Sequence, residues 1–141
     1  MKVPESIASE EELGRRVFSS KNAARAKRSR APYHIFLEKS GETDISVDRL
    51  SVAPSDEVVA AIADKAAVAR NATFYGWAST TAEEADRNER GVVANPLHDN
   101  PYHADIVLPE LAAEDREVQK QHAKELADVS RWHSRPNPHE E

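Results

Sequence analysis

Short segments with the two-residue periodicity of strands alternate along this chain with segments that carry helix-capping residues. The clearest strand pattern is at 45–50, where Ile45 and Val47 alternate with polar residues. The clearest helix pattern is at 55–70, which Ser55 is placed to cap. The full pattern predicts the order α, β, β, α, β, short α, β, β, α. Long helices separated by short strands favour an α+β fold over a doubly wound one.

We therefore expect an α+β domain with a small mixed or antiparallel sheet of about five strands. The strand segments are 33–38, 45–50, 73–78, 91–94 and 103–108. The first two form an N-terminal hairpin. An Ala-rich helix over 55–70 and a long C-terminal helix, from Pro109 to about Trp132, pack on the sheet. Gly76 interrupts a strand pattern, which predicts a bulge or a close backbone approach there.

Two capping-box sequences predict further helix starts. Ser9 and Glu12 are spaced as a capping box, which predicts a short helix that ends near Phe18. Thr81 and Glu84 repeat the spacing and predict a second short helix. On the helix over 55–70 the apolar stripe is predicted to be Val58, Ile62, Ala66 and Ala69.

The length of 141 residues fits a single domain with three segments. Residues 1–31 hold the first capped helix and a basic segment, residues 32–132 the α+β core, and residues 133–141 a flexible tail. The chain contains no cysteine, which excludes disulfides, thiolate metal sites and cysteine nucleophiles. No apolar run suits a signal peptide or a membrane span, so we expect a cytoplasmic protein without a membrane partner.

A strongly cationic segment lies in an otherwise acidic chain of net charge −6. Between residues 15 and 31 there are seven cations and no acid: Arg15, Arg16, Lys21, Arg25, Lys27, Arg28 and Arg30. Such a block is typical of phosphate-binding surfaces, because each cation that neutralises a phosphate releases counterions. Two alternatives are a protein partner with an acidic surface, and a solvated face paired with acids of the same chain.

Histidines and carboxylates supply the candidate catalytic residues. We predict His34, His103, Arg49 and Asp105 as the catalytic set, with the imidazoles as acid and base and Arg49 as a stabiliser of phosphate charge. The structural alternative is that each histidine is a satisfied, half-buried residue. A weaker interpretation makes His98, His103, Asp105 and His122 ligands of a metal ion, although we assign no metal and no cofactor.

These features predict a small protein that binds nucleic acid or nucleotide phosphates through its basic N-terminal segment. A nuclease-like or toxin-like enzyme with a histidine-based site would fit, with RNA or DNA as partner. The alternative is a non-catalytic protein–protein interaction module, such as an adaptor, a regulatory subunit or an inhibitor. The small aromatic content, eight residues in all, also suits a homodimer.

Overall fold

An antiparallel sheet with helices on both faces forms the frame of the protein in the computed structural model, which describes residues 3–39, 42–87, 90–108 and 115–136. The strands of the described ranges are β1 (Glu12–Val17), β2 (Asp44–Arg49), β3 (Gly76–Thr81), β4 (Gly91–Ala94), β5 (His103–Val107) and β6 (Arg131–Ser134). Their order is β4-β5-β2-β1-β3-β6, and every neighbouring pair is antiparallel. The predicted α+β class with an antiparallel sheet is confirmed.

Four α-helices and one 3₁₀ helix join these strands within the same ranges. They are α1 (Ser20–Arg28), the 3₁₀ helix Tyr33–Phe36, α2 (Asp56–Ala69), α3 (Ala82–Arg87) and α4 (Arg116–Val129). The helix predicted over 55–70 is confirmed, with Ser55 as its N-cap. Within the basic segment, Ser20–Arg28 form α1, and Ser19 caps it. Residues 109–114, where the C-terminal helix was predicted to begin, lie outside the described residues.

Each face of the sheet has its own hydrophobic cluster. On one face, small residues of α2 pack against Trp77 and Phe74. The buried residues of α2 are Val59, Ala60, Ala63 and Ala67, so the predicted stripe of Val58, Ile62, Ala66 and Ala69 is wrong by about one position. Small side chains let the helix approach the large indole closely, and Val58 is left exposed. On the other face, α1, α3, α4 and the 3₁₀ helix cover a larger cluster around Leu13 and Ile106.

The predicted N-terminal helix near residues 9–18 is wrong, because β1 occupies Glu12–Val17 at the centre of the sheet. Leu13 and Val17 are four residues apart, which suits a helix, yet they also alternate as a strand requires. Pairing with β3 over six residue positions decides between the two. The acids of the capping box instead make distant contacts: Glu11 accepts hydrogen bonds from Arg49, and Glu12 accepts one from Ser79.

The strand predicted over 33–38 is also wrong, and with it the N-terminal hairpin. Tyr33–Phe36 is a 3₁₀ helix, and β2 pairs with β1 and β5 instead. Arginine side chains from three other segments take the carbonyls that a strand would have used. Arg15 donates to the carbonyl of Ile35, Arg90 to that of Phe36, and Arg116 to that of Glu38.

The remaining predicted strands lie close to their expected positions. β2, β4 and β5 agree with the predicted segments, whereas the strand predicted over 73–78 begins at Gly76. Gly76 has φ 149°, and a Cβ there would lie 2.6 Å from the carbonyl oxygen of His133, which confirms the close backbone approach. β6 is an unpredicted strand that follows α4 and pairs with β3. The sheet thus draws strands from all three predicted segments.

None of the helices in the described ranges has the length and apolar character needed to cross a membrane.

Candidate functional site

The sheet is open between β1 and β2, and this opening forms the floor of a large cleft. The two strands pair only at Leu13 with Arg49 and at Gly14 with Asp48, whereas β1 continues alongside β3 to its end. Beyond Gly14 the carbonyls of β2 therefore lack strand partners from β1. A cleft of about 1080 Å³ lies here, walled by α2, by the 3₁₀ helix, by the first turn of α1 and by the loop before β5.

Arg15 occupies the opening between the two strands. Its Nε donates to the carbonyl of Ile35 (2.8 Å) and its Nη1 donates to the carbonyl of Ser46 (2.9 Å). The guanidinium thus satisfies a β2 carbonyl that the missing strand pairing leaves free. Burial lowers the pKa of Arg15; Glu38 opposes this shift, and the positive charges of Arg70 and Arg16 add to it.

Asp48 holds the second cleft arginine and is itself almost fully buried. Arg16 donates to the two carboxylate oxygens from Nε (2.8 Å) and Nη2 (2.9 Å). The indole of Trp77 donates to the same carboxylate at 2.9 Å and the amide of Asn100 at 3.2 Å. Four donors from three other parts of the chain therefore fix the carboxylate, which in turn orients the Arg16 guanidinium.

Arg70 is the third guanidinium at the cleft and stands at the end of α2. It lies over the ring of Phe18, 4.4 Å from the ring centroid, a cation–π contact. Within the described ranges its side chain makes no hydrogen bond or ion pair. Ile62 and Ala66 of α2 continue this wall and give the cleft an apolar side.

Donor groups of these arginines remain available to a ligand. A guanidinium carries five N–H groups, and Arg15 and Arg16 each use only Nε and one terminal nitrogen in contacts with described residues. Nη2 of Arg15 and Nη1 of Arg16 are thus left over. Among described residues, Arg16 alone of the three is paired with a carboxylate. The centre of the cleft consequently carries an excess of positive charge.

The rim of the cleft has mixed charge. Lys39 and Lys65 are exposed there, and so are Glu42, Asp44 and Asp99. Exposed charges are screened by salt over about 8 Å at physiological ionic strength, so they act mainly on their own neighbours. A bound anion would therefore interact chiefly with the recessed guanidinium groups.

His34 and His103 both line this cleft, as the predicted acid–base pair requires. His34 is exposed on the 3₁₀ helix, and its Nε2 accepts from the amide of Asn22 on α1 at 3.2 Å. His103 opens β5, opposite Asp48 of β2, and its Nδ1 lies 2.9 Å from the carbonyl of Asn95. A carbonyl only accepts, so Nδ1 of His103 carries the proton and Nε2 is the nitrogen that can exchange one.

The structure places the other two predicted catalytic residues outside the cleft lining. Asp105 Oδ1 is 3.7 Å from Nε2 of His103, so it contacts the imidazole from β5. Arg49 is fully buried, and its guanidinium binds Glu11 and the carbonyls of Pro4 and Ser6. Arg49 thus anchors the N-terminal segment, and we leave it out of the candidate site.

The predicted phosphate-binding set is divided among three locations. Arg15 and Arg16 line the cleft. Arg30 pairs with Asp128 of α4 on the surface. The other four, on α1, are exposed to solvent: Lys21, Arg25, Lys27 and Arg28. Asp48, Asn100 and Arg70 are cleft residues that the sequence analysis missed. Asp48 followed the strand pattern and Arg70 ended a helix, so neither carried a motif.

The residues proposed as alternative metal ligands are dispersed. His98 is exposed in the loop before β5, while His122 is buried on α4, which packs on the opposite face of the sheet from His103. Across the described parts of the chain, no three His, Cys, Asp or Glu side chains are grouped so that they could hold a metal ion.

Comparison of the chain with protein-family models, with curated proteins and with solved structures found no match.

Proposed function

We propose that the protein binds a phosphate-bearing ligand of the nucleotide class in the cleft between β1, β2 and α2. The observation that carries the proposal is the meeting of three guanidinium groups, from Arg15, Arg16 and Arg70, with one carboxylate among them. Arg15 and Arg16 are half-buried, and holding like charges together away from solvent is unfavourable unless an anion compensates them. Phosphate is suited to this role, because its oxygens match the planar fork of arginine.

Two further features support this proposal. The N-terminus of α1 borders the cleft through Ser19 and Asn22, and its first turn contains no acid. The positive end of that helix dipole adds to the attraction for an anion. The apolar wall of Ile62 and Ala66 offers a surface for a flat ring, which a nucleotide has and inorganic phosphate lacks.

The test is calorimetric titration with adenosine 5′-monophosphate, inorganic phosphate and adenosine. We expect the two phosphate compounds to bind and adenosine to bind far more weakly. Arg70→Ala is the most informative variant, because the Arg70 side chain makes no hydrogen bond or ion pair with a described residue and lies over the Phe18 ring. It should weaken binding of the monophosphate about two- to fivefold, the effect of losing one exposed charged contact. Arg70→Lys should retain part of the affinity.

Arg87→Ala is the matched control, since Arg87 is an exposed arginine of α3 whose partner in the described ranges is Glu83. It removes the same charge from the molecule without touching the cleft. Equal affinities in Arg70→Ala and Arg87→Ala, or no binding of either phosphate compound, would refute the proposal.

A second proposal is that the cleft cleaves phosphodiesters by acid–base catalysis. It is supported by the placement of His34 and His103 on the same cleft as the guanidinium groups. An imidazole whose Nδ1 proton is fixed exchanges a proton at Nε2 alone, which suits a directional transfer. In this proposal the carbonyl of Asn95, which accepts from Nδ1, positions His103, and Asp105 does not touch substrate.

Incubation with labelled RNA and DNA, followed by product separation, tests this activity. His103→Ala should abolish cleavage while monophosphate binding and the melting temperature change little. His98→Ala, which alters an exposed histidine of the neighbouring loop, is the control and should retain activity. Intact substrate with the wild-type protein would leave the binding proposal standing and reject the catalytic one.

A further inference from the structure

The exposed face of α1 carries positive charge that the described residues do not neutralise. The side chains of Lys21, Arg25, Lys27 and Arg28 make no hydrogen bond or ion pair with any described residue. This is unexpected in a chain of net charge −6, where acids are abundant. Arg30, just beyond the helix, shows the contrasting case, since it pairs with Asp128.

The cationic face is continuous with the cleft. Asn22, Arg25 and Arg28 are spaced three residues apart and therefore form one row on the helix surface. The row starts at the cleft, because Asn22 lines it and donates to His34. It extends about 9 Å along the helix axis to Arg28, at 1.5 Å per residue. Lys21 flanks the row at its cleft end.

The helix presents these charges on a rigid support. Ala23 and Ala26 are buried against the sheet, and Ser19 caps the first turn by accepting from the amide of Asn22. Lys27 and Arg28 also stabilise the C-terminal end of the helix dipole, but that requires only proximity and leaves the charges facing solvent. A ligand that leaves the cleft along α1 would meet a ready-made series of cations.

We propose that the ligand is a single-stranded nucleic acid whose chain continues from the cleft over the cationic row of α1. The proposal rests on the phosphate-binding cleft proposed above and specifies its ligand as a polymer. Charge complementarity favours this occupant, since a strand offers phosphates at regular intervals to a row of cations. A flexible single strand can enter a recessed cleft and then follow a convex helix, whereas the phosphates of a duplex lie on a stiff cylinder.

The net negative charge of the protein does not oppose this binding strongly. At physiological ionic strength charges beyond about 8 Å are largely screened, so the local surface of α1 dominates. The same screening predicts steep salt dependence. For single strands the slope of log K against log salt is about −0.7 per neutralised phosphate, so removal of two contacts should reduce its magnitude by about 1.4.

The experiment compares a labelled oligonucleotide of about ten nucleotides with adenosine 5′-monophosphate, using fluorescence anisotropy and calorimetry. We expect the single strand to bind the wild-type protein more tightly than the monophosphate. The double variant Arg25→Ala with Arg28→Ala should weaken oligonucleotide binding about fivefold to thirtyfold and lower the salt slope as above. Its affinity for the monophosphate should stay unchanged, which distinguishes the contribution of the cationic row from that of the cleft.

Arg87→Ala with Lys120→Ala is the matched control. It removes two cations from α3 and α4 that, within the part of the chain described, pair with acids of their own helices, Glu83 and Glu117. Its oligonucleotide affinity should equal that of the wild type. A melting temperature for each variant establishes that the fold is retained.

Several results would overturn the inference. Oligonucleotide binding no tighter than monophosphate binding would show that the cleft takes a small ligand and that α1 is a solvated face. Equal competition by poly-glutamate would assign the row to an acidic protein partner. A duplex that binds as tightly as the single strand would reject the proposed path into the cleft. Failure of the monophosphate itself to bind would instead refute the proposed phosphate-binding site in the cleft, and with it the single-stranded ligand that depends on that site.

Discussion

Gly14→Ala should destabilise the protein strongly, although it adds a single methyl group. Gly14 lies on β1 where it faces the indole of Trp77. A Cβ placed there would lie 2.7 Å from Cδ1 and 2.8 Å from Cγ of that indole, and 2.9 Å from Cδ1 of Leu50. Trp77 is fully buried beneath α2, so its ring has little room to move.

The expected cost has two parts. Overpacking a well-filled core costs about 1–3 kcal/mol. Displacement of the indole also breaks its 2.9 Å hydrogen bond to the Asp48 carboxylate, and a bond to a charged group contributes about 1.5–3 kcal/mol. Together these give a loss of about 2.5–6 kcal/mol in the free energy of unfolding, a large fraction of the roughly 5–15 kcal/mol of a typical domain.

Denaturant titration followed by circular dichroism measures this free energy. Gly91→Ala is the control, because a Cβ at Gly91 meets nothing within 4 Å. It should leave stability unchanged or raise it by about 0.4–1 kcal/mol through the unfolded state. Trp77→Phe should couple to the first change: the double variant should be less destabilised than the sum of the two singles by more than about 0.5 kcal/mol. A Gly14→Ala variant within about 0.5 kcal/mol of the wild type would refute the reasoning.

Two further outcomes test the helix cap and a buried carboxyl. Thr81→Ala should lower the free energy of unfolding by about 1 kcal/mol, because the Thr81 hydroxyl and the Glu84 carboxylate each accept a hydrogen bond from the other residue's backbone amide. Thr73→Ala, at an exposed position, is the control. Equal denaturation midpoints for the two variants would contradict this prediction. Burial raises the pKa of Glu38 above its ordinary value of 4.5, although Arg90 opposes the shift. The folded chain therefore keeps this proton to higher pH than the unfolded chain, so the wild type should lose stability relative to Glu38→Gln as pH rises above about 4.5. Denaturation from about pH 4 to about pH 7 measures this, and parallel profiles would refute it.

The parts of the fold that local sequence determines were predicted well. β2 alternates cleanly, and the second capping box forms with both reciprocal hydrogen bonds. Gly76 marks a close backbone approach, as a glycine within a strand pattern suggests. In each case the local structure depends on residues close in sequence or on the backbone conformation of one residue, and a sequence pattern can therefore predict it.

The wrong predictions are those that distant contacts decide. Glu12 has capping-box spacing from Ser9, yet it accepts a hydrogen bond from Ser79, 67 positions along the chain, and the neighbouring Glu11 is buried against Arg49, 38 positions away. The aromatic and β-branched run after Pro32 suits a strand, but arginines from β1, from the segment before β4 and from α4 take its carbonyls. Neither partner set is visible in the local pattern, because both depend on the completed sheet.

The candidate site divides in the same way. Arg15 and Arg16 were predicted from charge density, and His34 and His103 from their chemistry, and all four line the cleft. Asp48 and Arg70 were missed because their environment is created by tertiary packing: a buried carboxylate that collects four donors, and a helix-terminal arginine over a ring. Charge density alone could not separate Arg16, fixed by Asp48, from Arg30, paired on the surface.

Structural roles and the proposed ligand-binding roles overlap in Arg15 and Arg16 but separate at Arg70. Arg15 supplies donors to two backbone carbonyls, so its removal would leave the opening between β1 and β2 unsatisfied. Loss of Arg16 would leave the buried Asp48 carboxylate without its charged partner. A binding defect in either variant could therefore reflect damage to the fold. The Arg70 side chain makes a contact with the Phe18 ring but no hydrogen bond or ion pair with a described residue. A loss of phosphate binding in Arg70→Ala would therefore reflect the cleft rather than damage to the fold.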